Sequence, residues 1–131
     1  MRKFTILLVD DDATFVETHK ILLKKHNYNV EVALSGSECI KKLSNGLKPD
    51  LVILDVIMDT PTEGFDVARK LKANNNTKDI PIIMLTNVGE DFIFKYHPDE
   101  TGLPFDLFLE KPVLPELLLS EIRRITKSSI P

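Results

Sequence analysis

The chain has 131 residues, 43% of them apolar and 28% charged, with a net charge of -3; this is enough for one domain with a real core. The negative balance argues against direct nucleic-acid binding, which usually needs a basic face, and no run of about 18 apolar residues offers a membrane span, so no membrane insertion is expected. Met1-Arg2-Lys3-Phe4 leads straight into an apolar run with no room for a signal peptide, and the single cysteine, Cys39, excludes an internal disulfide, so a reducing, cytoplasmic setting is expected.

Strand and helix patterns alternate along the chain. Ile6 to Val9 is a short apolar run closed by Asp10-Asp11-Asp12. Ala13 to His26 follows with apolar Phe15, Val16, Ile21, Leu22 and Leu23 and with Lys20, Lys24 and Lys25 on the wet side, which predicts an amphipathic helix. Asp12 is a fitting N-cap for it. Val30, Val32 and Leu34 predict a second strand after an Asn27–Asn29 turn. Ser35-Gly36-Ser37 opens a helix with Cys39, Ile40 and Leu43 inward, and Asn45-Gly46 closes it.

Leu51 to Leu54 is the third run and closes on Asp55. A loop from Val56 to Glu63 contains Pro61, and Gly64 leads into a helix with Phe65, Val67, Ala68 and Leu71 apolar, stopped by Asn74-Asn75-Asn76. The fourth strand is predicted from Ile80 or Pro81 and ends on Thr86. Within 87–104, Phe92, Ile93, Phe94 and Tyr96 predict a short helix, because Pro98, Gly102 and Pro104 forbid a long one. Phe105 to Leu109 is the fifth strand, leading into Glu110-Lys111-Pro112; Leu114 to Ile125 is the last helix, and Lys127–Pro131 reads as a frayed tail.

Five strand-then-helix units predict an α/β fold: a doubly wound parallel sheet with right-handed crossovers and helices on both faces. The runs are too continuously apolar for one-sided strands and read as strands buried on both faces. In such a sheet functional groups gather beyond the carboxyl ends of the strands. Asp10, Asp11, Asp55, Thr86 and Lys111 all stand there.

Carboxylates that crowd together need protons or a cation. Oxygen donors without His or Cys favour magnesium or calcium over zinc, and magnesium keeps positions open for a phosphoryl group. With the Lys111 ammonium and the Thr86 hydroxyl, the edge holds what a transferred phosphoryl group needs around its oxygens. An aspartate can itself be the nucleophile, and Asp55, ending a central strand beside Asp10 and Asp11, is the best placed.

The set Asp10-Asp11, Asp55, Thr86 and Lys111-Pro112 resembles the receiver domain of two-component response regulators, a CheY-like, flavodoxin-like fold. The resemblance spans Phe4 to about Thr126, so residues 1–131 read as a single receiver domain with a core of about 4–126, either free-standing or excised from a larger protein. It implies five strands in the order 2-1-3-4-5 in an α/β/α sandwich, with Asp55 as phosphoacceptor. It also implies Mg2+ held by Asp11, Asp55, the Ile57 backbone carbonyl and, mostly through water, Asp10. Lys111, followed by a cis bond to Pro112, would contact the phosphoryl group, and Thr86 and Phe108 would act as switch residues.

A histidine kinase or histidine phosphotransfer protein would donate the group, and a downstream effector protein or output domain would read the fourth and fifth units. A homodimer through those units is compatible with the resemblance. No metabolic enzyme activity is implied beyond self-phosphorylation and slow self-dephosphorylation; Ile57 and Val88, flanking the path of an attacking water, are both apolar.

The chain departs from the family pattern in three places. Met58 is followed by Asp59 rather than proline, with Gly64 one residue late, so the loop is expected to be remodelled with Asp59 solvated. Asn87 replaces a very small residue after the switch threonine, and the stretch before Lys111, with an irregular 97–104 loop, is longer than usual.

Asp10-Asp11-Asp12-Ala13-Thr14 also matches the opening of haloacid-dehalogenase-like phosphatases, with Asp10 as nucleophile and Asp12 as acid-base residue. That reading lacks the further acidic strand pair, since only Glu116 and Glu121, in a predicted helix, follow the lysine. A phosphorylation-independent interaction domain is a further alternative. His19, His26 and His97 lack metal-like partners and read as surface or boundary residues.

Overall fold

The structure is a computed structural model and describes residues 3–60, 62–87 and 104–128. Five strands, β1 (Thr5–Val9), β2 (Asn29–Ala33), β3 (Leu51–Leu54), β4 (Ile82–Thr86) and β5 (Leu107–Glu110), form one sheet in the order β2-β1-β3-β4-β5. All neighbouring pairs are parallel. Four helices are described: α1 (Ala13–Lys25), α2 (Gly36–Ser44), α3 (Glu63–Ala73) and α4 (Pro115–Ser128).

The sheet lies between two apolar layers. One face packs β1 residues Leu7 and Val9 with Cys39 of α2 and Phe65, Val67 and Leu71 of α3. The other packs Ile6 and Leu8 with Val16 and Leu23 of α1 and Leu118 and Ile122 of α4. Alternation along β1 therefore feeds both cores, because successive side chains point to opposite faces. Every residue of β3 and β4 is buried, and each such leucine or isoleucine contributes about 2 kcal/mol by leaving water.

Local chemistry sets the ends of the elements. The Asp12 carboxylate accepts the Thr14 and Phe15 backbone N–H groups and caps α1. Ser35 caps α2 by accepting the Glu38 N–H. Asn27 (φ 72°) and Gly46 (φ 105°) reverse the chain after α1 and α2 in the left-handed region, which asparagine and glycine tolerate best.

The structure corrects several local expectations. Ile21 is 54% exposed rather than inward, since α1 rests on the sheet through Val16 and Leu23. Leu34 lies one residue past β2 and is exposed. Strand β4 starts at Ile82 and β5 at Leu107, later than the apolar runs suggested. The last helix runs on to Ser128, into the stretch read as a tail. The predicted helix around Phe92–Tyr96, together with Val88, His97 and the 97–103 part of the irregular loop, lies outside the described residues.

Candidate functional site

The carboxyl ends of β1, β3, β4 and β5 meet at one edge of the sheet. The ladder continues past the strands there: Asp10 N–H donates to Ala33 O, Asp55 N–H to Val9 O and Lys111 N–H to Thr86 O. The backbone of three polar residues is thus fixed by the sheet itself, and sheet-fixed positions hold side chains more firmly than loops do.

Asp10, Asp11 and Asp55 converge, with one carboxylate oxygen from each lying within 4.8 Å of the others. Asp10 and Asp55 are buried and Asp11 is exposed. Both oxygens of Asp10 are engaged: Oδ1 accepts the Asp12 N–H at 3.0 Å and Oδ2 accepts from Lys111 Nζ at 2.7 Å. Lys111 Nζ also lies 3.7 Å from Asp55 Oδ2. By contrast, Asp55 Oδ1 and Thr86 Oγ1 are both buried with no hydrogen-bond partner.

Burial pushes the Asp55 carboxyl above the usual carboxylate range, because a low-dielectric surrounding disfavours the charged form. The nearby Thr86 hydroxyl opposes this without completing a hydrogen bond. The Asp10 carboxylate adds to the rise, while the Lys111 ammonium and the Ile57 backbone N–H pull against it. One ammonium does not neutralise three acids. An unpartnered, buried Asp55 oxygen beside the exposed Asp11 is the donor set a hard divalent cation fits.

The remaining predicted residues fall around this centre. Thr86 is fully buried at the end of β4. Phe108 is half-buried in β5, paired in register with Met84, and packs against the α2–α3 side of the core with Phe105, their ring centroids 6.3 Å apart. The Lys111–Pro112 peptide bond is cis. Ile57 is 39% exposed, and Asn87 and Asp59 face solvent. Asp12 is committed to its cap, which removes the acid-base residue that the phosphatase reading needs.

Sequence reasoning missed two supports of the site. Gly64 N–H donates to Val56 O at 2.8 Å, and a Cβ at Gly64 would stand 2.0 Å from Asp55 O. The start of α3 therefore lies directly on the backbone of the Asp55 turn, and the glycine after the loop was the only signal of it. Glu63 accepts the Gly36 N–H at 2.6 Å and the Asp59 N–H at 3.1 Å, tying that loop to the start of α2. Nothing in the local sequence pairs residue 63 with residue 36.

The sequence pattern of the response regulator receiver domain matches residues 6–123. This chain belongs to that family. It is 34% identical over 127 residues to the phosphate regulon transcriptional regulatory protein PhoB of Pseudomonas aeruginosa, covering 97% of this chain and 53% of that protein. In structure it is similar to a signal receiver domain of a signal transduction histidine kinase from Syntrophus aciditrophicus (TM-score 0.82, 30% identity, 95% of this chain and 91% of that one). It is equally similar to the chemotaxis protein CheY4 of Vibrio cholerae (TM-score 0.82, 27% identity, 95% and 99%).

The chain spans about half the length of the curated regulators it matches. As a receiver domain it serves phosphoacceptor signalling in two-component systems. The haloacid-dehalogenase-like alternative falls with this assignment. Among the described residues no helix is long and apolar enough to cross a membrane.

Proposed function

We propose that Asp55 is the residue that receives the phosphoryl group, from a phosphohistidine on a histidine kinase or phosphotransfer protein. The observation that carries this is the buried, unpartnered Asp55 Oδ1 at the edge where two further acids, a hydroxyl and an ammonium meet. An Asp55 oxygen attacks phosphorus, a P–O bond forms as the P–N bond breaks, and the imidazole leaves as the neutral ring after taking up a proton.

Lys111 exchanges Asp10 for a phosphoryl oxygen, and Thr86 turns its free hydroxyl to another. Asp11 and Asp55, with the Ile57 carbonyl and with Asp10 through water, would hold a magnesium ion. When bound, that ion supplies the positive charge that lets the carboxylates and the phosphoryl oxygens share the site.

As Thr86 moves, Phe108 turns inward and biases a two-state equilibrium at the face formed by the fourth and fifth units, where an effector, an output domain or a second copy docks. Self-phosphorylation from small donors and slow self-dephosphorylation complete the chemistry. The apolar Ile57 leaves an attacking water without a polar guide, so the phosphoryl group lasts many minutes. A half-life of seconds in magnesium buffer would contradict this.

Intact mass after incubation with acetyl phosphate and magnesium tests the acceptor, using wild type and Asp55→Ala. An adduct of about 80 Da on wild type alone is expected, one phosphoryl group replacing one proton. No adduct on either protein would leave a phosphorylation-independent interaction domain. An adduct that survives the substitution would move the nucleophile to Asp10 or Asp11.

A further inference from the structure

Lys111 carries its charge on a flexible four-carbon stem, and nothing in that stem aims it at the carboxylates. Its side chain is nevertheless only 10% exposed. Besides Asp10 and Asp55, the ammonium has a third neighbour: Nζ sits 3.9 Å from the centroid of the Phe15 ring. The ring is itself held from behind. His19 stacks on it with centroids 3.9 Å apart and planes 23° off parallel, and its Nδ1–H donates to the Phe15 carbonyl at 2.9 Å. Phe15, His19 and Lys111 line an open cleft of about 320 Å³ with Asn87 and Pro112.

We propose that Phe15 is a positioning residue for Lys111, its ring face holding the ammonium over the carboxylate edge throughout phosphoryl transfer. This rests on the reading of Asp55 as acceptor and Lys111 as the phosphoryl contact. An aromatic face attracts a cation through its quadrupole, most strongly where water is scarce. The attraction does not depend on which oxygen the ammonium meets. It therefore persists while Lys111 leaves Asp10 Oδ2 for a phosphoryl oxygen, the moment at which its stem would otherwise be free to swing into the cleft. Phe15 also packs on the rim of the α1–α4 core. Leucine keeps most of that packing and loses the ring face, with the His19 stack, which makes it the discriminating substitution.

The test compares wild type, Phe15→Leu, Phe15→Tyr, Lys111→Ala and the Phe15→Leu/Lys111→Ala double variant, each shown to be folded by its melting curve. The first readout is the rate of adduct formation from acetyl phosphate with magnesium. Phe15→Leu is expected to slow it about fivefold, because an ammonium no longer held over the edge is in place for a smaller share of the time, while Phe15→Tyr, which keeps the ring face, stays within about twofold. In the Lys111→Ala background Phe15→Leu is expected to cost nothing more, because the two residues act as a unit.

The second readout is the proton spectrum of the Lys111 ε-methylene. It should be shifted upfield by the ring in wild type and Phe15→Tyr and return to the ordinary position in Phe15→Leu. A Phe15→Leu rate equal to wild type, an equal slowing with and without Lys111, or an unshifted wild-type methylene overturns the proposal. If wild type takes no adduct while its methylene is shifted, the acceptor reading fails and the placement of Lys111 by Phe15 stands.

Discussion

Replacing Asp55 by asparagine should stabilise the fold at neutral pH while abolishing its chemistry. Asp55 is 8% exposed, and its Oδ1 has no partner; an unpartnered buried oxygen costs about 1–3 kcal/mol when neutral and more when charged, so the neutral amide relieves the excess due to the charge, which burial and the Asp10 carboxylate both oppose. The substitution also removes the attraction to Lys111 at 3.7 Å. That loss is small, because Lys111 keeps its 2.7 Å contact with Asp10. A net gain of about 1–2 kcal/mol remains. For 131 residues an unfolding entropy of about 2.1 cal/mol/K per residue converts this to a melting-point rise of about 4–7 °C.

The pH dependence follows from the raised Asp55 carboxyl. Between the ordinary carboxylate pKa of about 3.9 and the raised folded value, the native state holds more protons than the unfolded chain. Wild-type stability at this site therefore falls as pH rises through that window. The advantage of Asp55→Asn should vanish below about pH 3.9, where both side chains are neutral, and be complete above the raised value. Thermal melts of both proteins across pH, without divalent cation, provide the check. An Asp55→Asn variant no more stable than wild type at pH 7, or an advantage that grows toward acid, would refute the reasoning.

Gly64→Ala should cost about 3 kcal/mol, roughly 11 °C of melting temperature, and slow adduct formation. The new Cβ meets backbone at 2.0, 2.6 and 2.8 Å rather than movable side chain. Loss of less than about 1 kcal/mol, the ordinary cost of a point substitution, would count against that close approach. Asp12→Ala should cost about 1 kcal/mol through the lost α1 cap yet still take up a phosphoryl group; loss of labelling in a folded variant would restore a catalytic role for Asp12. The Cys39 thiol, fully buried and pushed up to about 12, should ignore a thiol reagent in the native state and react fully in denaturant. Reaction in the native state would show α2 opening from the sheet.

The sequence alone was sufficient for the periodic and the covalently local. Four apolar runs with polar closures placed four strands and their carboxyl edge, and the alternation of Val30, Val32 and Leu34 placed the fifth, because a strand buried on both faces must be continuously apolar, and parallel connectivity then sends every closing residue to one side. Asp12 and Ser35 were legible as caps for the same local reason. Tertiary structure decided whatever depends on distance between elements. Ile21 fits the apolar pattern of α1 but looks outward, since only packing fixes which stripe of a helix meets the sheet. Glu63 reaches Gly36 across 27 residues, and Lys111 reaches Asp10 across 101 and the Phe15 ring besides. No periodicity encodes such meetings. They arise where folded elements cross, and at this site they fix the charge on Asp55 and the aim of the ammonium beside it.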